Sequence, residues 1–98
     1  MAIVTRYRDG IHITYSETLD FGVPAAVPGT VSLVVNTGEV RIGDAVDVGP
    51  PVTIGGDFLL DAWVSSDNNI TVRWTQITGV ASDPDGAGGT YCLYVTKP

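Results

Sequence analysis

Glycine and proline punctuate this chain too often for a long helical period. The sequence has 12 glycines and 6 prolines among 98 residues, and the runs between them are rich in β-branched and aromatic residues, which strands favour. These runs predict seven strands, at residues 2–8, 11–16, 30–36, 44–48, 57–65, 69–77 and 90–96. The chain is therefore predicted to be all-β.

Apolar and polar residues alternate along three of these runs, "TVSLVV", "NITVRWTQ" and "TYCLYV". Side chains of a strand point to opposite faces in turn, so each run offers one apolar face to a core. Val31, Leu33 and Val35 share one face of the first run, and Ile70, Val72 and Trp74 share one face of the second. In the third run Tyr91, Leu93 and Val95 alternate with Cys92, Tyr94 and Thr96. Short strands at this spacing predict a β-sandwich or a small, jelly-roll-like barrel.

The first 28 residues differ from the rest in organisation. In "AIVTRYRDGIHITY" the pair Asp9-Gly10 separates two β-rich runs and predicts a hairpin turn. The stretch "DFGVPAAVPGT" (20–30) has two prolines and no period, and is interpreted as a linker. Residues 1–28 are thus predicted to be an N-terminal hairpin arm and linker, and residues 29–98 a sandwich body in which "SDNN" forms a turn.

The charge of the chain excludes one class of partner. The net charge is −6 with only five lysines and arginines, whereas binding to phosphate backbones needs clustered basic residues. Charged residues make up 16% of the chain, below the roughly 25% usual for soluble domains. This low charge favours burial of surface against another copy or another protein. No run approaches the roughly 18 apolar residues of a membrane span, and no signal segment is recognised, so no membrane partner and cytoplasmic synthesis are expected.

Three features of the sequence are candidates for a chemical site. The acidic loop Asp83-Pro84-Asp85-Gly86 is either a weak calcium site or a turn into the last strand, and its two carboxylates are few for an ion that takes six to eight oxygens. His12 is the single histidine and Cys92 the single cysteine, too few for a zinc site or an internal disulfide. No catalytic residue, metal site or cofactor is therefore predicted.

The aromatic residues leave two interpretations open. Trp63, Tyr91 and Tyr94 are candidates for a subunit interface or for stacking on a glycan, since aromatics are enriched at interfaces. Trp63 alternates with Leu59 and Asp61, which favours an exposed or interfacial position, while Trp74 alternates with Ile70 and Val72, which favours the core.

Residues 37–98 follow a definite order of turns and strands. A Gly-Asp and small apolar residues lead to a Pro-containing loop, an apolar strand, a Ser/Asn turn, a "TVTVR"-like strand, and an Asp-Pro turn before a final strand. The residues that carry this order are Gly43, Asp44, Val46, Pro50, Pro51, Trp63, Val64, Asn69, Thr71, Val72, Arg73, Asp83, Pro84, Gly89, Thr90 and Tyr91. The order resembles a module of small virion proteins of tailed bacteriophages. The resemblance implies an all-β module of capsid decoration proteins and of head or tail fibres, often trimeric, without catalytic residues.

The leading functional hypothesis is a homotrimeric capsid decoration protein, synthesised in the bacterial cytoplasm, that binds the major capsid protein on the outer surface of the virion and stabilises the shell. Arg6, Arg8 and His12 are the candidate capsid contacts, and deletion of residues 1–16 is expected to abolish attachment while leaving the body folded. The alternative is a fibre or receptor-binding module that recognises a host surface glycan. A hydrolase is the third hypothesis, but the sequence offers no set of catalytic residues to support it.

Overall fold

The computed structural model describes residues 2–7, 10–51, 58–80 and 88–97, with side chains from His12 onward. The described residues form seven strands and no helix, which confirms the all-β prediction. The strands are β1 (Ala2–Tyr7), β2 (Gly10–Leu19), β3 (Gly29–Asn36), β4 (Ala45–Gly49), β5 (Phe58–Ser66), β6 (Asn69–Gln76) and β7 (Gly89–Lys97).

The strands form two antiparallel sheets that pack against each other as a sandwich. One sheet has four strands in the order β1-β2-β7-β4, and the other has three in the order β3-β6-β5. Both sheets contribute to one apolar core. The predicted sandwich is therefore the observed architecture. Strand β7 is an internal strand of the four-stranded sheet, and β6 is the central strand of the three-stranded sheet.

The predicted alternation sets the core. Ile70, Val72 and Trp74 of β6 are at most 1% exposed, and Tyr91, Leu93 and Val95 of β7 at most 2%. Two aromatic pairs link the elements: Trp74 stacks on Phe58 with ring centroids 5.3 Å apart, and Tyr91 meets Phe21 edge-on at 5.4 Å. Both geometries are ones that aromatic pairs prefer.

Strand β2 belongs to the sandwich rather than to a separate arm. It lies between β1 and β7, and it pairs with β7 from Ile11 opposite Lys97 to Leu19 opposite Gly89. Its side chains Ile13 and Tyr15 are buried in the common core. The predicted boundary at residue 28 thus falls in the β2–β3 connection, and of the two strands before that boundary β1 lies at an edge of its sheet whereas β2 is internal. The expectation that the body stays folded without residues 1–16 has to be revised, because that deletion removes most of an internal strand.

The two predicted turns differ in detail. The β1–β2 hairpin closes with Tyr7 opposite Gly10, so Gly10 is already in a strand and is not a turn residue as predicted. The predicted "SDNN" turn joins β5 to β6, with Ser66 opposite Asn69. Asn68 takes a positive φ of 71° there, a conformation that asparagine tolerates better than most residues.

The antiparallel order divides the connections between two ends. The β2–β3, β4–β5 and β6–β7 connections leave from one end, called here the loop end. The strand ends joined by the β1–β2, β3–β4 and β5–β6 connections lie at the other, called the hairpin end. The molecule measures 44 × 23 × 21 Å. Since ten strand residues span roughly 33 Å, the long dimension runs along the strands.

Candidate functional site

The outer face of the three-stranded sheet forms a grid of three rows, called here the Trp63 face. Each row takes one residue from β3, one from β6 and one from β5, paired in register. The rows are Val34–Thr71–Trp63, Ser32–Arg73–Asp61 and Thr30–Thr75–Leu59. The strand period of two places these nine residues on the side away from the core.

An ion pair occupies the middle row. Arg73 donates from Nε and Nη2 to the two carboxylate oxygens of Asp61, at 3.0 and 2.6 Å, the two-pronged geometry that guanidinium and carboxylate favour. The hydrogen bonds and charge of Asp61 raise the pKa of Arg73, which stays charged. The Arg73 guanidinium also lies 5.0 Å from the centroid of the Trp63 ring, within cation–π range. Arg73 therefore contacts both Asp61 and Trp63 and holds their side chains in place.

Apolar groups are exposed on this face although it points to solvent. Val34 is 66% exposed, Leu59 58% and Trp63 40%. Thr71, between Val34 and Trp63 in the grid, is only 8% exposed, a burial that its polar alternation did not predict. Arg73 and Asp61 are the only charged residues among the nine, so the face carries no net charge.

The outer face of the four-stranded sheet carries Tyr94, Cys92 and His12. The Tyr94 ring lies over Gly49, where a β-carbon would come within 3.5 Å of it. A hydrogen bond with the Cys92 side chain raises the pKa of the Tyr94 phenol. His12 Nδ1 lies 3.5 Å from the Thr96 hydroxyl. Among the described side chains of this face, Tyr94 is an exposed aromatic ring.

The three aromatic candidates do not come together. Tyr91 is 2% exposed in the core, so its prediction as an interface or glycan contact is wrong; it alternates with Cys92 and Tyr94, and its side of β7 faces the other sheet. Trp63 and Tyr94 are exposed as such contacts require, but on opposite outer faces. A single stacking platform of these rings is therefore excluded, and Trp74 lies in the core as predicted.

Hydrogen bonds between distant segments hold the hairpin end. The Asn68 N–H donates to the Val40 carbonyl and the Thr37 N–H to the Asn68 carbonyl, both at 2.8 Å, and Arg41 Nη1 donates to the Asn68 side chain. Asp44 accepts from the Arg41 N–H at 2.9 Å and from Lys97 Nζ at 2.7 Å. This network ties the β3–β4 connection to the β5–β6 turn and to the end of β7.

Asp44 is a nearly buried carboxylate at the hairpin end, with a side chain that is 6% exposed. Burial alone would raise its pKa. The hydrogen bonds from Lys97 and from the Arg41 N–H, together with the charges of both residues, hold that pKa below its usual value. Nearby, burial raises the pKa of the Tyr15 phenol, which donates to Glu39 at 3.2 Å. These groups support folding at the hairpin end.

Replacing Asp44 by asparagine is expected to lower the free energy of unfolding at pH 7 by about 1.5–3 kcal/mol, the usual range for a hydrogen bond to a charged group. Because the folded pKa lies below the unfolded value of about 3.9, the stabilisation is complete above that value. It disappears as the pH falls through the folded pKa. Urea unfolding at pH 7 and at pH 2.5 measures this, with exposed Asp47 replaced by asparagine as the control. Equal losses at both pH values would contradict the role of the Asp44 charge.

Several predicted sites lie outside what is described. The loop Asp83-Pro84-Asp85-Gly86 and Arg8 are outside the described residues, and Arg6 is placed only by its backbone in β1, opposite Ile11. Within the described ranges no group of three metal-ligating side chains and no pocket occurs. No helix there has the length and apolar character of a membrane span.

Comparison with known proteins adds no family to this picture. No protein-family model matches the chain, and no curated protein and no solved structure matches it significantly. A function is therefore inferred from the residues and faces of this chain.

Proposed function

We propose that this protein is a virion structural protein, a capsid decoration protein that attaches to the outer shell by its loop end. The proposal is supported by the resemblance of residues 37–98 to small phage virion modules. The observation that carries the mode of attachment is the separation of charge along the molecule, combined with exposed apolar side chains at one end.

The loop end is acidic and has no basic residue in its connections. The β2–β3 connection contains Asp20, and the sequences of the other two add Asp57, Asp83 and Asp85, in segments outside the described residues. In the sequence, the connections of the hairpin end contain four acids, Asp9, Glu39, Asp44 and Asp67, and two basic residues, Arg8 and Arg41; with Lys97 at the end of β7 the three positive and four negative charges leave a formal charge of −1. The loop-end connections, with four aspartates and no basic residue, carry −4, and this larger negative charge fits a basic partner surface.

Apolar side chains are exposed at the same end. Val80 is 87% exposed, Val23 58% and Ile77 39%. Gln76, itself 2% exposed, donates from Nε2 to the carbonyls of Thr78 and Val80 at 3.1 and 2.7 Å. This holds the backbone of the turn that presents Val80, so little ordering entropy remains to be lost on docking.

One copy docked end-on makes a small interface. The end measures 23 × 21 Å, or about 500 Å², below the roughly 800 Å² per partner of a standard stable interface. Three linked copies bind far more tightly than one, because the later contacts form at high effective concentration. A homotrimer on a capsid protein array is therefore the arrangement proposed, and its shared contacts hold neighbouring capsid subunits together.

The test is co-sedimentation with DNA-free capsids assembled from the virus's own major capsid protein. Replacing Val80 by lysine is expected to weaken attachment at least tenfold, because it removes an apolar contact and opposes a basic surface. The matched control is Ile42→Lys at the hairpin end, where Ile42 is 71% exposed. Weakening by Ile42→Lys alone would instead support the predicted contact at Arg6, Arg8 and His12, and a wild-type protein that never sediments with capsids would refute the decoration function.

A further inference from the structure

We infer that the Trp63 face is a binding site for a neutral oligosaccharide. A sugar ring stacks on Trp63, and the Arg73–Asp61 pair hydrogen-bonds its hydroxyls. The inference is independent of capsid attachment, since the Trp63 face lies along the side of the sandwich and the loop end is left unoccupied by it.

The size of the face selects a small ligand over a second copy of the chain. Three strands spaced about 4.8 Å apart and three rows about 7 Å apart cover only a few hundred Å², less than the roughly 800 Å² per partner of a stable protein interface. Two to four sugar units match such an area. A pairing of two copies through this face alone has too little to bury.

The chemistry of the face matches that of a sugar. A pyranose offers an apolar C–H surface to an aromatic ring and a rim of hydroxyls that both donate and accept. Trp63 is the exposed ring. Beside it the face supplies guanidinium donors from Arg73, carboxylate acceptors from Asp61, and the hydroxyls of Ser32, Thr30 and Thr75, the last two 3.1 Å apart. Binding sites of this kind combine an apolar surface with a few placed polar groups.

The charge of the face selects a neutral ligand. Arg73 is already neutralised by Asp61 at 2.6 Å, so an anionic ligand would have to compete with this carboxylate. The chain as a whole carries −6, which disfavours the approach of anions. A neutral oligosaccharide does not compete with the Asp61 carboxylate for Arg73, and the net negative charge of the chain does not repel it.

The face is also ordered before the ligand arrives. Asp61 fixes the guanidinium through two hydrogen bonds, and the guanidinium in turn lies over the indole, which keeps 40% exposure of the residue. Side chains that are already held lose less entropy on binding. Asp61 and Arg73 thus position the ring as well as offer polar contacts.

The test is a titration of the ¹⁵N-labelled protein with neutral gluco-, manno-, galacto- and xylo-oligosaccharides and with a sialylated oligosaccharide, followed by NMR. At least one neutral sugar is expected to shift the Trp63 indole and the amides of β5 and β6, and the sialylated sugar is expected to bind at least fivefold more weakly. No saturable shifts with any neutral sugar at 10 mM would overturn the inference, as would shifts confined to another face.

Two variants separate this face from the rest of the molecule. Trp63→Ala is expected to lower the affinity at least tenfold, while Tyr94→Ala, which removes an exposed ring from the opposite outer face, changes it less than twofold. Asp61→Asn retains the size of the side chain and tests the ion pair, with an expected loss of three- to tenfold. An unchanged affinity of Trp63→Ala, with a native-like spectrum, would overturn the inference even if capsid attachment is intact.

Discussion

Replacing Trp74 by alanine is expected to lower the free energy of unfolding by about 3–5 kcal/mol. Trp74 is 1% exposed in the middle of the three-stranded sheet. It stacks on Phe58 and pairs in register with Val31 and Leu60 on either side. Its removal leaves a cavity that the sheet backbone cannot close. Because a domain of this size has a total stability of about 5–15 kcal/mol, the variant should approach the limit of folding.

Urea unfolding followed by far-UV circular dichroism measures this loss, and the second tryptophan supplies the control. Trp63→Ala removes a side chain of the same size from the outer face, and is expected to cost less than about 1 kcal/mol. Similar losses for the two variants would mean that Trp63 is packed as a core residue and would contradict its assignment to a solvent-facing site.

Two truncations are expected to show that the domain needs β2 to fold but does not need β1. A chain that begins at Gly10, without β1, should fold, since β1 is an edge strand that pairs with β2 alone. A chain that begins at Glu17 should not fold, because it loses Ile13 and Tyr15 from the core, each worth about 1.5–3 kcal/mol of burial. It also loses most of the ladder that covers one edge of β7.

The dispersion of amide signals in ¹H–¹⁵N spectra distinguishes the outcomes. A collapsed spectrum is expected for the chain that begins at Glu17, and a dispersed one for the chain that begins at Gly10. If the chain that begins at Glu17 also gave a native spectrum, the body would fold without residues 1–16, as the sequence alone predicted. If neither chain folded, β1 would be an essential part of the four-stranded sheet.

The sequence predicts the strands well because a half-buried strand has a period of two, and Val72 or Leu93 shows it within a few neighbours. It does not predict the assembly of strands into sheets, which depends on distant pairings. Strand β2 was predicted to stop at Ser16, where polar residues follow, yet it continues to Leu19 because β7 pairs with it. Pairing with another strand overrides local preference there.

The candidate site was predictable only in part, for the same reason. The exposure of Trp63 follows from its sharing a strand face with Asp61. The position of Arg73 opposite Asp61 depends on the register of β5 against β6. The "SDNN" turn fixes this register in the structure, but the register cannot be read from the sequence. The pairing of Asp44 with Lys97 joins residues 53 positions apart. A choice between Tyr91 and Tyr94 as the exposed ring required knowing which side of β7 meets the second sheet.

The connections that leave from the loop end carry a formal charge of −4, against −1 for those of the hairpin end together with Lys97, so the sequence assigns unequal charge to the two ends of the 44 Å axis. The electric field of a basic surface turns such a molecule before contact, so that it approaches with the loop end first. Orientation of this kind raises the rate of productive encounter and is lost as salt shortens the range of the field to about 8 Å at physiological ionic strength. For the proposed basic partner surface, the acidic connections are therefore expected to raise the rate of association at low salt and to favour arrival with the loop end first.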